Sequence, residues 1–284
     1  MMKSFCIKTN YQYVLDYLLK RIEEIDFPNL IYSKQKFKIY ENIMIHYRGE
    51  KIEEFRKFLS SLLCEAILKF YEEKIIKHIL NFNYFYFEEY EKMQIYENCN
   101  RVMQSEEYTQ EDVKQNLIES EIEKYLSESK SIVLDGFVRF RLKEYLKYLD
   151  NIVDIAVNQF VIEKEYNEFI NLLRIYIESK PSQYKILHLI YMNGESILLD
   201  DNKNIVTVSE NIFNAKYLSD ISFSSNDFAL NTLLTLLPEK IEMHLIDEED
   251  EFISTLKLIF EGRISICKDC NICRTYKLIH HVKI

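Results

Sequence analysis

VRFRLKEYLKYLDNIVDIAVNQFVIEKEYNEFINLLRIYIESKPSQYKILHLIYM, residues 138–192, changes its hydrophobic period once, and that change decides the fold. Val138, Leu142, Tyr145, Leu149, Ile152, Ala156 and Phe160 step by 4, 3, 4, 3, 4 and 4, which lays one apolar stripe along an α-helix. Tyr166, Phe169, Leu173 and Ile177 continue at helical spacing after an offset, so the segment reads as one long helix or two in tandem, ended by Pro181. Such a stripe suits packing on the chain's own helices, or a coiled-coil seam against a second chain. Beyond Pro181, residues 184–192 form an apolar run of strand length, and Asn193-Gly194 is a hairpin turn into a partner strand at 196–199.

Towards the C-terminus, 205–208 reads as a further strand after the polar turn DDNKN. Ser224 and Asp227 have capping-box spacing for a helix that Pro238 closes. A strand at 240–246, a helix behind the acidic run 247–250 and a strand at 263–267 make a βαβ unit with a parallel strand pair. Towards the N-terminus, the expected elements are a strand at 4–9, a helix at 11–25 and a hairpin of 36–40 with 43–47 turning at Glu41-Asn42. Gly49 opens a long helix carrying Ile52, Phe55, Leu59, Leu62, Ala66 and Phe70. The aromatic run Phe82, Tyr84, Phe85, Tyr86, Phe87 and Tyr90 reads as core filling between helices. Thr109 with Asp112 caps a helix at 110–128, and Asp135 caps the next.

The expected fold is therefore a mixed, helix-rich α/β chain. A small N-terminal β/α element and a long helical middle fill residues 1–180; a small α/β domain ending in a cysteine-rich loop fills 181–284, with Pro181 as the boundary. Four glycines and three prolines leave few forced breaks, in keeping with long helices.

A net charge of −10 argues against general binding to nucleic-acid backbones. Residues 88–128 hold twelve acidic and four basic side chains, a solvated face or a docking face for a basic protein partner. No run of about 18 uncharged apolar residues suggests a membrane span. The first residues lack the apolar stretch and cleavage site of a secretory signal. The expectation is a cytoplasmic protein whose six cysteines stay reduced.

Three of those cysteines, Cys267, Cys270 and Cys273, form C-x2-C-x2-C. Random placement would produce that spacing with an expectation on the order of 0.002. Thiolates three residues apart on a tight loop can converge on one cation. A structural zinc site needs a fourth ligand, for which His244, on the neighbouring strand, His280 and His281 are the candidates. An iron–sulfur cluster is the alternative, since the spacing matches the first three cysteines of a bacterial ferredoxin motif, but no fourth Cys-Pro follows. A redox or partner-dependent site, or three buried thiols with no metal and Cys267 turned into the core, are the other readings. Cys6, Cys64 and Cys99 read as isolated core thiols, and His46, His78 and His188 as structural singletons.

No phosphate-binding loop, dinucleotide fingerprint, zinc-protease helix or nucleophile elbow occurs, and no catalytic residue is assigned. Glu121 with Glu123, and Glu163 with Glu165, sit two apart and do not face one another on a helix. Two stretches, LDGFVRFRLKEYLKYLDNIVDIAVNQFVIEKEYNEFINLLR at 134–174 and IFEGRISICKDCNIC at 259–273, resemble the YtxC family of sporulation proteins of spore-forming bacteria. The resemblance implies a setting in spore formation and carries over no activity, cofactor or functional residue. Three functional readings follow: a non-catalytic interaction or regulatory protein, a metal-binding protein using the cysteine loop, and an enzyme of unknown class.

Overall fold

The computed structural model describes residues 3–25, 27–36, 41–105, 111–206 and 224–282. The chain is a mixed α/β protein dominated by helices, with two four-stranded sheets among the described residues. It divides into two compact units, Met1–Ile162 and Glu163–Ile284.

In the first unit, β1 (Lys3–Thr9), α1 (Gln12–Ile25), β2 (Leu30–Lys36) and β3 (Glu41–Tyr47) precede four helices: α2 (Ile52–Phe70), α3 (Glu72–Asn83), α4 (Glu89–Gln104) and α5 (Glu111–Glu128). A short β4 (Ser131–Val133) and α6 (Leu134–Phe140) lead into α7 (Lys143–Ser179). The sheet order is β2-β3-β1-β4, with β1 antiparallel to β3 and parallel to β4. Ile7, Leu15, Leu18, Ile43, Leu63, Ile67, Tyr145, Leu149 and Ile152 are buried in one continuous core, which puts the helical stripe of 138–160 where its period requires.

The structure corrects several local expectations. The hairpin exists, but β2 lies at 30–36 and Glu41 and Asn42 belong to β3, paired with Lys36 and Gln35; β2 is an exposed edge strand with little apolar alternation to betray it. The expected strand at 36–40 lies mostly outside the described residues, as do Thr109 of the expected capping box and the far end of the expected strand at 205–208. Phe82, Phe85, Tyr86 and Tyr90 are exposed rather than core, lying at the end of α3, in the α3–α4 connection and at the start of α4; Tyr84 and Phe87 of that run do pack against the core, Phe87 meeting Phe160 edge to face at 5.6 Å. Asp135 does not cap α6. It accepts hydrogen bonds from the Asn10 amide at 3.0 Å and the Tyr71 hydroxyl at 3.0 Å, tying α6 to the end of β1 and to the α2–α3 junction.

The second unit contains the last turns of α7, then β5 (Ile186–Met192), β6 (Glu195–Leu199), α8 (Ser225–Leu236), β7 (Lys240–Leu245), α9 (Glu251–Ile259), β8 (Ile264–Ile266) and α10 (Asn271–Val282). This compact unit begins within α7, where Ile170 and Ile177 join the second core. Phe169 is exposed in its place in the stripe. Asn193 and Gly194 both take positive φ, +56° and +73°, as a tight two-residue hairpin requires. The Ser224–Asp227 capping box is formed in both directions. Sheet order is β6-β5-β7-β8, with β5, β7 and β8 mutually parallel, so the βαβ unit stands.

Alternation along these strands sorts the two faces. Leu187, Leu189, Tyr191, Ile241 and Met243 pack with Ala229, Leu233, Ile253 and Leu256 of α8 and α9. His188, Glu242 and His244 take the opposite parity, so they share the other face, on which α10 and the cysteine loop lie.

Candidate metal centre

Each side chain of the cysteine cluster is placed by a separate local device. His244 sits near the end of β7, 1% exposed. Cys267 follows β8 directly, and its amide donates to the Met243 carbonyl at 2.8 Å, which extends the parallel pairing one residue towards His244. Cys270 immediately precedes α10; its carbonyl accepts the Arg274 amide at 3.0 Å, and the first amides of the helix, those of Cys273 and Ile272, favour negative charge on its sulfur. It therefore caps the helix as serine or aspartate usually does. Cys273, one turn in, is buried at 3% exposure.

These devices converge. His244 Nδ1 lies 3.3 Å from Cys273 Sγ and 3.5 Å from Cys270 Sγ. Cys273 Sγ is 3.9 Å from Cys270 Sγ and 3.8 Å from Cys267 Sγ. All four donor atoms lie within 4.8 Å of one another. Cys267 is half-buried and turned to the other thiols, not into the core. Of the expected fourth ligands, the structure brings His244 to the cysteines. His280 and His281 are in α10, and their side chains lie outside the described ones.

The electrostatics are uneven. Burial first, and then the closeness of the other two thiols, which favours the protonated form, pushes the Cys267 thiol up to about 12. Burial also raises Cys270, but the helix amides and neighbouring thiols outweigh it and hold that thiol below its ordinary value. Burial, and then His188, lower His244, keeping the imidazole neutral.

His188 was missed as a partner of this cluster. Its Nδ1 is 3.0 Å from His244 Nε2 and 3.5 Å from Glu242 Oε2, while Lys203 meets its Nε2. The two rings stack at 5.2 Å between centroids. The parity of the strands was the available signal; the β5–β7 register that pairs Ile190 with His244 was not readable. Helix α10 was also missed, because its cap is a cysteine.

Three other thiols, Cys6, Cys64 and Cys99, are buried in the first unit. Glu123, Glu163 and Glu165 are exposed, as surface charges are. Among the described residues, no helix is long and apolar enough to cross a membrane.

Comparison with known proteins adds a family and a relative. The YtxC-like family matches residues 57–265. The uncharacterized protein YtxC of Bacillus subtilis (strain 168) is 20% identical over 217 residues, covering 74% of this chain and 76% of its own. No solved structure matches. The family match stops just short of Cys267, so the cluster is read from this chain's own geometry.

Proposed function

The chain belongs to the YtxC-like family, and for this member we propose a structural zinc site built from His244, Cys267, Cys270 and Cys273. The carrying observation is the spacing of the donor atoms. Zinc–sulfur bonds of about 2.3 Å and zinc–nitrogen bonds of about 2.0–2.1 Å give tetrahedral edges of roughly 3.8 Å between sulfurs and roughly 3.5 Å between nitrogen and sulfur. Two of the three sulfur pairs and two of the three nitrogen–sulfur pairs fall near those edges, and the other two lie within 4.8 Å.

Three thiolates and one imidazole fill a tetrahedral shell. No position is left for a water or substrate, which separates this site from a hydrolytic zinc centre. An iron–sulfur cluster would interpose several atoms between its thiolates and needs them farther apart. Zinc at this place ties the end of β7, the end of β8 and the start of α10 together. Its charge would deprotonate Cys267, whose thiol is otherwise held protonated. The reading that fits such a staple is a non-catalytic interaction protein, and its setting in spore formation rests on the family resemblance alone.

Metal analysis of the purified full chain tests this. One zinc per chain is expected, falling to background in Cys270→Ala and Cys273→Ala. Cobalt substitution should give the strong visible bands of a tetrahedral thiolate site. Substoichiometric metal unchanged by Cys270→Ala would sink the proposal; stoichiometric iron with a cluster spectrum would replace it.

A further inference from the structure

His188, Glu242 and His244 also place three donor atoms within 4.8 Å, which makes them a second possible metal group. Their geometry says otherwise. His188 Nδ1 and His244 Nε2 are 3.0 Å apart, a direct hydrogen bond between buried rings. Two nitrogens on one tetrahedral zinc would stand roughly 3.3 Å apart with the ion between them and both lone pairs aimed at it. The remaining nitrogen of His188 is met by Lys203, whose ammonium repels a cation.

We propose that His188 is the positioning residue of the zinc site, holding His244 through the Nε2–Nδ1 hydrogen bond, and that Lys203 opposes zinc through His188. This rests on the zinc reading above. With zinc on His244 Nδ1, the ring proton sits on Nε2 and is donated to His188 Nδ1. His188 must then accept there and carry its own proton on Nε2. Lys203 has only donors, and faces that same Nε2. When Lys203 donates, the His188 proton belongs on Nδ1 and the His244 proton on Nδ1, facing the thiols.

Zinc and Lys203 therefore demand opposite tautomers of one histidine pair. On zinc binding the His188 Nδ1 proton passes to His244 Nε2. The His244 Nδ1 proton leaves to solvent, and His188 Nε2 takes one from solvent as Lys203 gives up its contact. The imidazoles gain and lose no net proton.

Lys203 is placed by the turn at 200–204, where its amide donates to the Asp200 carbonyl at 3.0 Å and its backbone takes φ +68°. That left-handed conformation is unusual for lysine and comfortable for asparagine. Lys203→Asn removes the donor without disturbing the turn.

The test is zinc affinity of the full chain by competition with a chromophoric chelator, with histidine tautomers read by nitrogen-15 NMR. His188→Leu should weaken zinc about 10- to 100-fold, the usual cost of losing a ligand's outer hydrogen bond. His188→Gln, whose carbonyl can still accept, should recover part of that loss. Lys203→Asn should tighten zinc by roughly 2- to 10-fold, the equivalent of one ordinary hydrogen bond. A merely structural Lys203 would not give a gain. Zinc-loaded parent protein should show His244 protonated on Nε2. The inference falls if Lys203→Asn leaves affinity unchanged or weaker, or if His188→Leu abolishes a second bound zinc while the first remains. If His188→Leu fails to fold, the exposed Lys203→Asn variant still decides. Parent protein that binds no zinc defeats the earlier reading; parent protein that binds one, with variants that shift nothing, defeats only this one.

Discussion

Tyr145, fully buried on α7, donates its hydroxyl to Glu72 at the start of α3, 2.7 Å away. Burial and then the Glu72 carboxylate push the phenol's pKa well above its ordinary value, so it stays a donor at every working pH. Lys114 of α5 reaches the same carboxylate at 3.3 Å, so one partly buried charge gathers three helices. Tyr145→Phe keeps the ring and deletes the donor. The expected cost is about 1.5–3 kcal/mol, that of a hydrogen bond to a charged group, measured by urea unfolding. A cost within error of zero would mean that Lys114 and water satisfy Glu72 without the tyrosine.

Chelation should act on the second unit and leave the first intact. At free zinc of 100 times Kd, linkage adds about 2.7 kcal/mol to the folded state of whatever binds it. Hydrogen exchange should show that gain in β7, β8 and α10 and not in α2. Thiol alkylation gives a second view. Burial first, and then the nearby Glu119 and Glu65 carboxylates for Cys64, push Cys64 and Cys99 up to about 12, so they should stay unlabelled in the native chain. Cys267 and Cys270, both half-buried, should become labelled only when zinc is withdrawn. Equal labelling with and without chelator would contradict a metal at the loop.

The parts of this fold legible in the sequence are those where one local signal had no competitor. The 138–160 stripe had a single apolar face, Asn193-Gly194 a single suitable turn, and Ser224 with Asp227 a single capping geometry. From 166 to 177 almost every helical face carries an apolar residue, so tertiary packing, not period, selects Ile170 over Phe169, while Ile177 is buried as its place in the stripe implies. The approach of His244 to the cysteines was legible because strand order alone brings β7 beside β8. His188 was not, since its place depends on the register of strands separated by α8. Helix α10 hid behind Cys270, a residue type absent from the usual capping set.

Gly49 is required by a ring and not by its backbone angles. A Cβ there would stand 2.1 Å from Tyr47 Oη and 2.3 Å from Cζ. Tyr47 cannot swing aside freely, for it stacks on Phe55 at 4.7 Å and meets Phe27 at 5.8 Å. Gly49→Ala should cost about 1–3 kcal/mol by overpacking. The same substitution in a Tyr47→Leu background should cost clearly less, and that coupling in a double-mutant cycle is the readout. Additive costs would place the strain elsewhere.

Asp250 links the hairpin strand to the helix of the βαβ unit, and its charge gives that link a pH dependence. One carboxylate oxygen accepts the Ile253 amide at 3.0 Å as the cap of α9; the other accepts the Tyr191 hydroxyl from β5. The tyrosine bond and then the helix amides hold the carboxyl below its ordinary value against a smaller opposing effect of burial. The folded-state pKa is thus lower than the unfolded one of about 3.9, and the unfolded chain binds the proton first. Its contribution is complete above that unfolded value and is lost as pH falls through the folded one. Asp250→Ala should cost about 1 kcal/mol at neutral pH, the usual price of a deleted cap. The gap between parent and variant should narrow in urea titrations run below about pH 4, where protonation removes from the parent what the substitution removed from the variant. A gap that stays constant down to acid pH would show that the carboxylate's charge plays no part and that only its shape fills the cap.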